Sequence, residues 1–255
     1  MKLLDLWVIV TVTCVEAMHG GGYYPITEAP YLALLNIHSV MGAEFCGAAI
    51  LSELWLLTAA HCVLRNNTLS QVTVYLGTST SPYKSLGINV TEIIVHEKYR
   101  EQPKAFDIGL IKVAERIEFT EYFYPLPITH ASPRPGDVVI LAGYGYGHYR
   151  EFGEALKMMR LRVIEDEVCR RNYTIGPTQF CTDVRDADLC GGDSGAPAVL
   201  NDEIVGVAYE GCEYDAPNVF TKVAEFYDWT LDKTGISYGW RKRRSPTRKT
   251  GERRT

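Results

Sequence analysis

Short apolar runs, separated by clusters of glycine, proline, asparagine and serine, recur along most of the chain. The runs are rich in valine, isoleucine, leucine and tyrosine, a length and composition typical of β-strands. The clearest runs lie at residues 31–37, 49–59, 72–78, 88–95, 107–113, 137–145 and 203–209. Their spacing predicts many antiparallel strands in sandwiches or barrels, and therefore an all-β fold.

Helical periodicity appears late in the chain, at residues 223–235. Four apolar residues there share one face of the predicted helix: Val223, Phe226, Tyr227 and Leu231. Gly235 then supplies a stop signal. A weaker helix candidate is 165–173, where acidic residues precede arginines, the order that the helix dipole favours.

Charge is distributed unevenly along the 255 residues, of which 46% are hydrophobic. That content suffices for one compact domain, or two packed lobes, with a substantial core. The net charge is −5; residues 236–255 carry eight Lys/Arg and one Glu, the first 17 residues contribute −1, and 18–235 therefore hold −11. An acidic globule with a basic tail is not typical of a nucleic-acid-binding domain. The charged, proline-interrupted tail at 236–255 is predicted to be disordered.

The N-terminal segment has the features of a secretory signal peptide. Lys2 precedes an apolar run from Leu6 to Val15, and small residues at Val15 and Ala17 suit cleavage after Ala17, which predicts a signal peptide over 1–17. The run is too short to span a bilayer, and no later stretch approaches 18 consecutive apolar residues. The alternative is a buried N-terminal strand.

Cysteines and glycosylation sequons agree with a secreted, extracellular protein. Cleavage after Ala17 would leave an even number of cysteines, which fits an oxidising compartment. Those six are Cys46, Cys62, Cys169, Cys181, Cys190 and Cys212. Three N-x-T sequons, at Asn66, Asn89 and Asn172, are weaker support because such short patterns also occur by chance.

The stretch Gly192-Asp193-Ser194-Gly195 places a serine between glycines. A serine hydroxyl is a poor nucleophile unless a base lies within hydrogen-bond reach and donors face the developing oxyanion. Flanking glycines allow the backbone to turn tightly and to direct its N–H groups at one point. By itself this stretch is equally consistent with a simple turn.

Two further stretches supply the groups that such a serine needs. His61 stands beside Cys62 at the end of an apolar run, where a disulfide would fix the backbone next to the imidazole. Asp107 stands at the head of a strand-like run, and a buried carboxylate there would require a polar partner. The order His, Asp, Ser on an all-β background predicts nucleophilic catalysis by Ser194.

The chain resembles the secreted chymotrypsin-like (trypsin-fold) serine proteases over residues 18–235. The resemblance is carried by the stretches 45–62 (FCGAAILSELWLLTAAHC), 93–99 (IIVHEKY), 107–113 (DIGLIKV), 142–147 (AGYGYG), 191–197 (GGDSGAP) and 218–223 (NVFTKV). It implies two packed six-stranded antiparallel barrels, a C-terminal helix, and a catalytic triad at the junction of the barrels.

The same resemblance implies residue roles. Ser194 would attack the scissile carbonyl, His61 would accept its proton and pass it to the leaving amine, and Asp107 would hold the imidazole. The N–H groups of Gly192 and Ser194 would form the oxyanion hole. Six cysteines permit fifteen pairings; the resemblance selects Cys46–Cys62, Cys169–Cys181 and Cys190–Cys212.

The N-terminal motif departs from the family pattern. Relatives begin with Ile/Val-Val-Gly-Gly, freed by cleavage after Arg or Lys, and the new amine pairs with the Asp before the catalytic serine. Here Met18-His19-Gly20-Gly21 occupies that place and follows the signal-peptidase site. We hypothesise that signal removal exposes the Met18 amine to pair with Asp193. The alternative is a poorly ordered pocket with low activity.

Residues at the specificity pocket conflict with one another. Asp188 matches the position that makes trypsin-like enzymes prefer Arg or Lys, because a carboxylate at the base of a narrow pocket pairs with a long cation. Asn218 replaces a pocket-wall glycine, where its side chain would shorten the pocket and reach Asp188, and Glu210 adds negative charge at the mouth. Arg/Lys preference, another restricted specificity and negligible turnover remain open.

No metal or organic cofactor is expected. His38, His96, His130 and His148 lack ligand spacing and are predicted to be surface or loop residues, and residues 77–87 contain no Asp or Glu for calcium. The expected partners are protein or peptide substrates and protease inhibitors, bound by a monomer. The alternative from another class is a protease-fold binding protein, weakly active or inactive, with an occluded pocket.

Overall fold

The computed structural model describes residues 22–39, 42–65, 68–79, 85, 87–101, 104–145, 155–184, 189, 191–211, 216–236 and 238. The strands, in chain order, are β1 (Gly22–Tyr23), β2 (Leu32–Ser39), β3 (Gly42–Ile50), β4 (Trp55–Thr58), β5 (Leu64–Arg65), β6 (Thr68–Leu69), β7 (Gln71–Leu76), β8 (Ile88–Val95), β9 (Arg100–Glu101), β10 (Lys104–Ala105), β11 (Gly109–Val113), β12 (Val138–Gly143), β13 (Lys157–Ile164), β14 (Gln179–Thr182), β15 (Pro197–Leu200), β16 (Glu203–Glu210) and β17 (Asn218–Lys222). The helices are α1 (Ala60–Val63), α2 (Asp166–Cys169) and α3 (Tyr227–Thr234), with 3-10 turns at Ile26–Glu28 and Val223–Phe226.

Six strands of the N-terminal half close into an antiparallel barrel in the order β11-β4-β3-β2-β7-β8. The alternating burial along β7 shows how a strand contributes to the barrel core: Val72, Val74 and Leu76 are buried, while the residues between them face outward. Each strand can therefore bury one row of apolar side chains in the barrel interior.

The C-terminal half forms the second barrel. Its sheet runs β1-β13-β12-β15-β16-β17-β14, and an additional β13–β14 pairing closes six of these strands, with β1 added beside β13. One continuous apolar cluster extends through both barrels. The predicted pair of six-stranded antiparallel barrels is confirmed.

The predicted C-terminal helix is also confirmed, although its first turn is a 3-10 turn. It ends where expected: Gly235 adopts φ +66° and donates its N–H to the Leu231 carbonyl at 2.8 Å. The weaker candidate at 165–173 shortens to the four residues of α2. No helix within the described residues is long and apolar enough to cross a membrane.

Within the described residues, two disulfides attach short helices to the barrels. Cys46–Cys62 joins β3 to α1 with Cα atoms 6.2 Å apart, and Cys169–Cys181 joins α2 to β14 with Cα atoms 6.1 Å apart. These are two of the three pairings that the resemblance implied. The third, Cys190–Cys212, lies outside the described residues.

Candidate active site

His61 is placed by the turn that follows β4. The strand ends at Thr58, and α1 begins two residues later, so the imidazole projects from the first turn of a four-residue helix. The disulfide of the neighbouring Cys62 attaches this short helix to β3. The His61 side chain is 22% exposed, which leaves one edge of the ring open to solvent.

Asp107 lies two residues before β11, with its side chain 1% exposed. Its Oδ1 accepts the His61 backbone N–H at 2.9 Å, and its Oδ2 lies 2.6 Å from His61 Nδ1. A carboxylate can only accept, so Nδ1 carries a proton, and in the neutral imidazole Nε2 is then the acceptor. The Thr221 hydroxyl, from β17 of the other barrel, donates to the Asp107 carbonyl at 3.0 Å. Both barrels therefore hold this residue.

Ser194 lies in a tight loop bounded by two glycines in the left-handed region, Gly192 at φ +95° and Gly195 at φ +81°. Its carbonyl accepts the Gly47 N–H at 2.7 Å. A Cβ on Gly195 would overlap the Thr58 hydroxyl and lie 3.3 Å from the Ala59 nitrogen. The loop is thus packed directly against the turn that leads into His61.

Asp193 is buried, and its carboxylate fits against two glycines of β12 and the loop after it. Gly145 donates its N–H to Oδ1 at 2.8 Å, and a Cβ on either Gly143 or Gly145 would overlap the carboxylate. Those glycines therefore create the space that the carboxylate occupies. Met18, the predicted partner of Asp193, lies outside the described residues.

Lys157 lies directly opposite Gly143 in the β12–β13 pairing and is 8% exposed. Paired residues of antiparallel strands face the same side of the sheet, so its side chain shares the face on which Asp193 lies. Burial lowers the pKa of Lys157, and the Asp193 carboxylate opposes this by raising it. Lys157 places a positive charge near the Asp193 carboxylate.

The described part of the specificity region is tightly packed around Asn218, which is fully buried. Its Oδ1 accepts the Leu189 N–H at 2.9 Å, and its Nδ2 donates to the Thr182 hydroxyl at 3.4 Å. A Cβ on Gly211 would lie 2.5 Å from Leu189 Cβ and 2.6 Å from Asn218 Oδ1. The backbone at Gly211 is therefore in contact with both residues.

Two of the three predicted specificity residues cannot be placed. Asp188 and the side chain of Glu210 lie outside the described residues. The predicted Asn218–Asp188 hydrogen bond therefore stays a prediction, while Leu189 and Thr182 are the partners that the structure gives to Asn218.

The remaining sequence candidates are spread over the surface. Asn89 and Asn172 are exposed, as glycosylation acceptors must be, and Asn66 lies outside the described residues. His38 and His130 are exposed, and His148 is outside the described residues. His96 lies in a loop as predicted, but it is half-buried among aromatic rings.

Among the described residues, one group of three side chains lies close enough to hold a metal: Cys46, His61 and Cys62. Both cysteines are consumed in one disulfide, so neither offers the thiolate that binds zinc. This group is better explained as the anchored histidine turn than as a metal centre.

Three further residues contact the histidine–aspartate pair, and no sequence motif marks them. The Tyr209 and His61 rings lie nearly perpendicular with centroids 6.3 Å apart, the Thr221 hydroxyl donates to the Asp107 carbonyl, and Phe106 precedes Asp107 at φ +54°. Their types are ordinary for strands and loops. Only the strand register and backbone conformation reveal their positions.

Comparisons with known proteins indicate the family to which the chain belongs. The family model described as Trypsin matches residues 18–230. Transmembrane protease serine 11A of Homo sapiens is 34% identical over 242 residues, which cover 87% of this chain and 56% of that protein. This chain thus spans little more than half the length of that relative. Chymotrypsin-2 of Vespa crabro is 32% identical over 217 residues, 82% of this chain and 96% of the relative.

The solved structure of HL collagenase superposes with a TM-score of 0.77 and 28% identity, covering 85% of this chain and 98% of that one. Fold, site geometry and sequence similarity agree, and the chain belongs to the trypsin family.

Proposed function

We propose that this chain is a secreted serine endopeptidase that cleaves peptide bonds through an acyl-enzyme on Ser194, with no metal or organic cofactor. The observation that carries the proposal is the pair of hydrogen bonds from His61 to the buried Asp107 carboxylate. This arrangement fixes the imidazole with its proton on Nδ1 and directs Nε2 away from Asp107.

In this mechanism Nε2 of His61 takes the Ser194 proton as the hydroxyl oxygen attacks the carbonyl carbon. Asp107 stabilises the imidazolium that forms, and His61 then gives the proton to the departing amine. A water molecule then attacks the acyl-enzyme in the same way, with His61 taking the proton of the water and returning it to Ser194. The 1% exposure of Asp107 supports its role, since a charge kept from water interacts more strongly with its neighbour.

The oxyanion hole would consist of the N–H groups of Gly192 and Ser194. The φ of +95° at Gly192 supports this assignment, because such a conformation turns successive N–H groups toward one side of the loop. The contacts of Asp193 with Gly143 and Gly145 then matter for catalysis, because Asp193 separates the two donor residues.

Maturation would follow from removal of residues 1–17. The freed Met18 amine would pair with Asp193, so that secretion itself generates the ordered oxyanion hole. The burial of Asp193 supports this, because an ammonium group would add to the compensation that the Gly145 N–H and Lys157 already give this buried carboxylate. Mass spectrometry of the secreted protein tests this step: a mature N-terminus other than Met18 would rule it out.

For substrates we propose peptides with Arg or Lys before the scissile bond, admitted by a restricted pocket. Asp188 would pair with the basic side chain and Glu210 would add negative charge at the mouth. The buried carboxamide of Asn218 occupies volume beside Leu189, which supports restricted entry. Protease inhibitors that present the same basic residue are the further partners.

One observation favours a second candidate, a protease-fold binding protein with an occluded pocket. Gly211 lies so close to Leu189 and Asn218 that the three chain segments carrying these residues pack directly against one another. A substrate side chain could enter there only if these segments separate. The surface around the site would then recognise a partner without cleaving it.

A fluorophosphonate probe distinguishes the two candidates. The secreted wild-type protein should become labelled, and Ser194→Ala should not. Labelling without cleavage of a peptide library would indicate a competent triad behind a closed pocket, as the second candidate requires. Failure of the wild-type protein to label would contradict the proposed enzyme.

A further inference from the structure

Phe106, the residue immediately before Asp107, has a backbone conformation that its side chain disfavours. Its φ is +54°, in the left-handed region that glycine, asparagine and aspartate enter most readily. Among the described residues, the others at positive φ are glycines and the turn residues Asn201 and Asp202. A phenylalanine persists in this region only when its surroundings hold it there.

The Phe106 ring is held by three neighbouring side chains. His96 stacks on it with centroids 5.2 Å apart and planes inclined by 17°, and Phe226 meets it edge-on at 6.0 Å. The Lys98 ammonium lies 5.7 Å from the ring centroid, within range of a cation–π contact. The unfavourable backbone therefore coincides with a well-packed side chain.

The C-terminal helix packs against Phe106 and His96 through two of its aromatic side chains, Phe226 and Trp229. His96 also contacts Phe226 and Trp229, with centroids 5.2 and 5.1 Å away. The Trp229 indole N–H donates to Glu97 at 3.0 Å, and Lys233 pairs with the same carboxylate at 2.6 Å. His96 and Glu97 are thus both attached to the C-terminal helix.

Backbone hydrogen bonds join the two residues that flank Asp107 to each other and to His96. The Ile108 N–H donates to the Phe106 carbonyl at 2.9 Å, which forms a tight turn centred on Asp107. The His96 N–H donates to the Ile108 carbonyl at 3.2 Å. Asp107 is therefore the central residue of a tight turn whose first residue is Phe106.

We propose that Phe106, held by His96 and Phe226, is a positioning residue that orients Asp107 toward His61. The inference rests on the proposed function for its catalytic meaning, although its geometric content concerns only the Asp107–His61 contact. The C-terminal helix then contributes to the active site through the Phe226–Phe106 contact, without touching substrate.

Phe106→Leu tests this inference, and Phe180→Leu is the matched control. Phe180 stacks on Phe220 with centroids 5.0 Å apart in the other barrel, so the control also removes a stacked ring. Two readouts apply to the full secreted chain: the low-field NMR resonance of the His61 Nδ1 proton, and the rate at which fluorophosphonate labels Ser194. Thermal unfolding measures the stability loss of each variant.

Phe106→Leu should shift or broaden the His61 resonance and slow labelling by about ten- to a hundredfold, the effect of a displacement of about 1 Å in a catalytic group. Phe106→Tyr, which keeps the ring, should restore both readouts. Phe180→Leu should lower the unfolding temperature while leaving both unchanged. If Phe106→Leu does not fold, His96→Leu replaces it with the same expected results, since it removes the ring that stacks on Phe106.

An unchanged resonance and labelling rate in Phe106→Leu would overturn the inference, as would equal effects of Phe180→Leu on both. Absence of labelling in the wild-type protein would contradict the proposed function alone. In that case the NMR resonance still decides whether Phe106 positions Asp107.

Discussion

The Asp107 carboxylate accepts two hydrogen bonds from a single residue, His61, one from the backbone N–H at 2.9 Å and one from the ring Nδ1 at 2.6 Å. The first fixes the carboxylate relative to the chain that carries the imidazole, and the second fixes the ring. Rotation of the His61 ring therefore requires a break of the second bond while the first keeps the carboxylate in place.

Asp107→Asn should lower the rate of Ser194 labelling by roughly 10³–10⁴-fold with little loss of fold. An amide oriented to keep the backbone bond presents its NH₂ to Nδ1, which favours the tautomer whose Nε2 carries the proton. Labelling kinetics and thermal unfolding check this, with Asp232→Asn on the exposed side of the C-terminal helix as control. Equal labelling rates for Asp107→Asn and wild type would contradict the role of Asp107.

Gly143→Ala should reduce labelling and stability together. The added methyl group would overlap the Asp193 carboxylate, which is buried and has little room to move. Overpacking of this kind costs about 1–3 kcal/mol, measurable by chemical denaturation.

Gly176→Ala is the control for Gly143→Ala, because the nearest atom to its new methyl group would be 3.9 Å away. It should leave both readouts unchanged. A Gly143→Ala variant as stable and as reactive as Gly176→Ala would show that Asp193 can occupy another position at no cost.

The barrels were predictable because alternating apolar residues suffice to identify most long strands. The run at 88–95 coincides with β8, and the stop signal at Gly235 ends the final helix. Strand β13 also alternates, but it was not among the clearest runs because Arg160 and Arg162 leave it without a continuous apolar stretch. These arginines face solvent, whereas Met159, Leu161 and Val163 are buried in the second barrel.

The catalytic candidates were predictable from residue type and order, whereas their supports were not. Gly143 and Gly145 belong to a recognisable stretch, but their purpose depends on where Asp193 lies. Lys157 acquires significance only from its register opposite Gly143. The role inferred for Phe106 depends on one backbone angle, which no residue pattern specifies.

Asn218→Gly should raise kcat/KM for Arg and Lys substrates by about tenfold or more, because the buried carboxamide is removed from the pocket. The same change leaves the Leu189 N–H without its acceptor, which costs about 1–3 kcal/mol of stability. Peptide cleavage assays and chemical denaturation measure the two effects. Unchanged cleavage would count against Asn218 as the residue that restricts the pocket.

Asn201→Gly is the control for the Asn218 substitution. Asn201 lies at φ +53° in the turn between β15 and β16, where glycine is conformationally suited. Neither stability nor cleavage should fall. Comparison of the two variants separates the pocket effect from the general effect of an added glycine.

The protein should become less stable as the pH is lowered below 6.5, because of His96. Burial lowers its pKa from 6.5, an effect that Glu97 opposes and that Lys98 and Lys233 reinforce. The unfolded chain therefore binds a proton near pH 6.5 that the folded chain binds only at lower pH. The contribution of His96 to stability is complete above pH 6.5 and decreases as pH falls through the window below it.

His96→Phe keeps the ring stacked on Phe106 and removes the titrating group. The unfolding free energy of the wild type, measured relative to this variant, should decrease from pH 7.5 to pH 5. The decrease should be less than about 1 kcal/mol, since solvent screens a half-buried site. Glu97 does not interfere, because its hydrogen bond from Lys233 lowers the pKa of Glu97 to about 2, and its contribution declines only below pH 4.5. If the stability of the wild type relative to His96→Phe instead increases toward pH 5, the rings packed around His96 favour its protonated form.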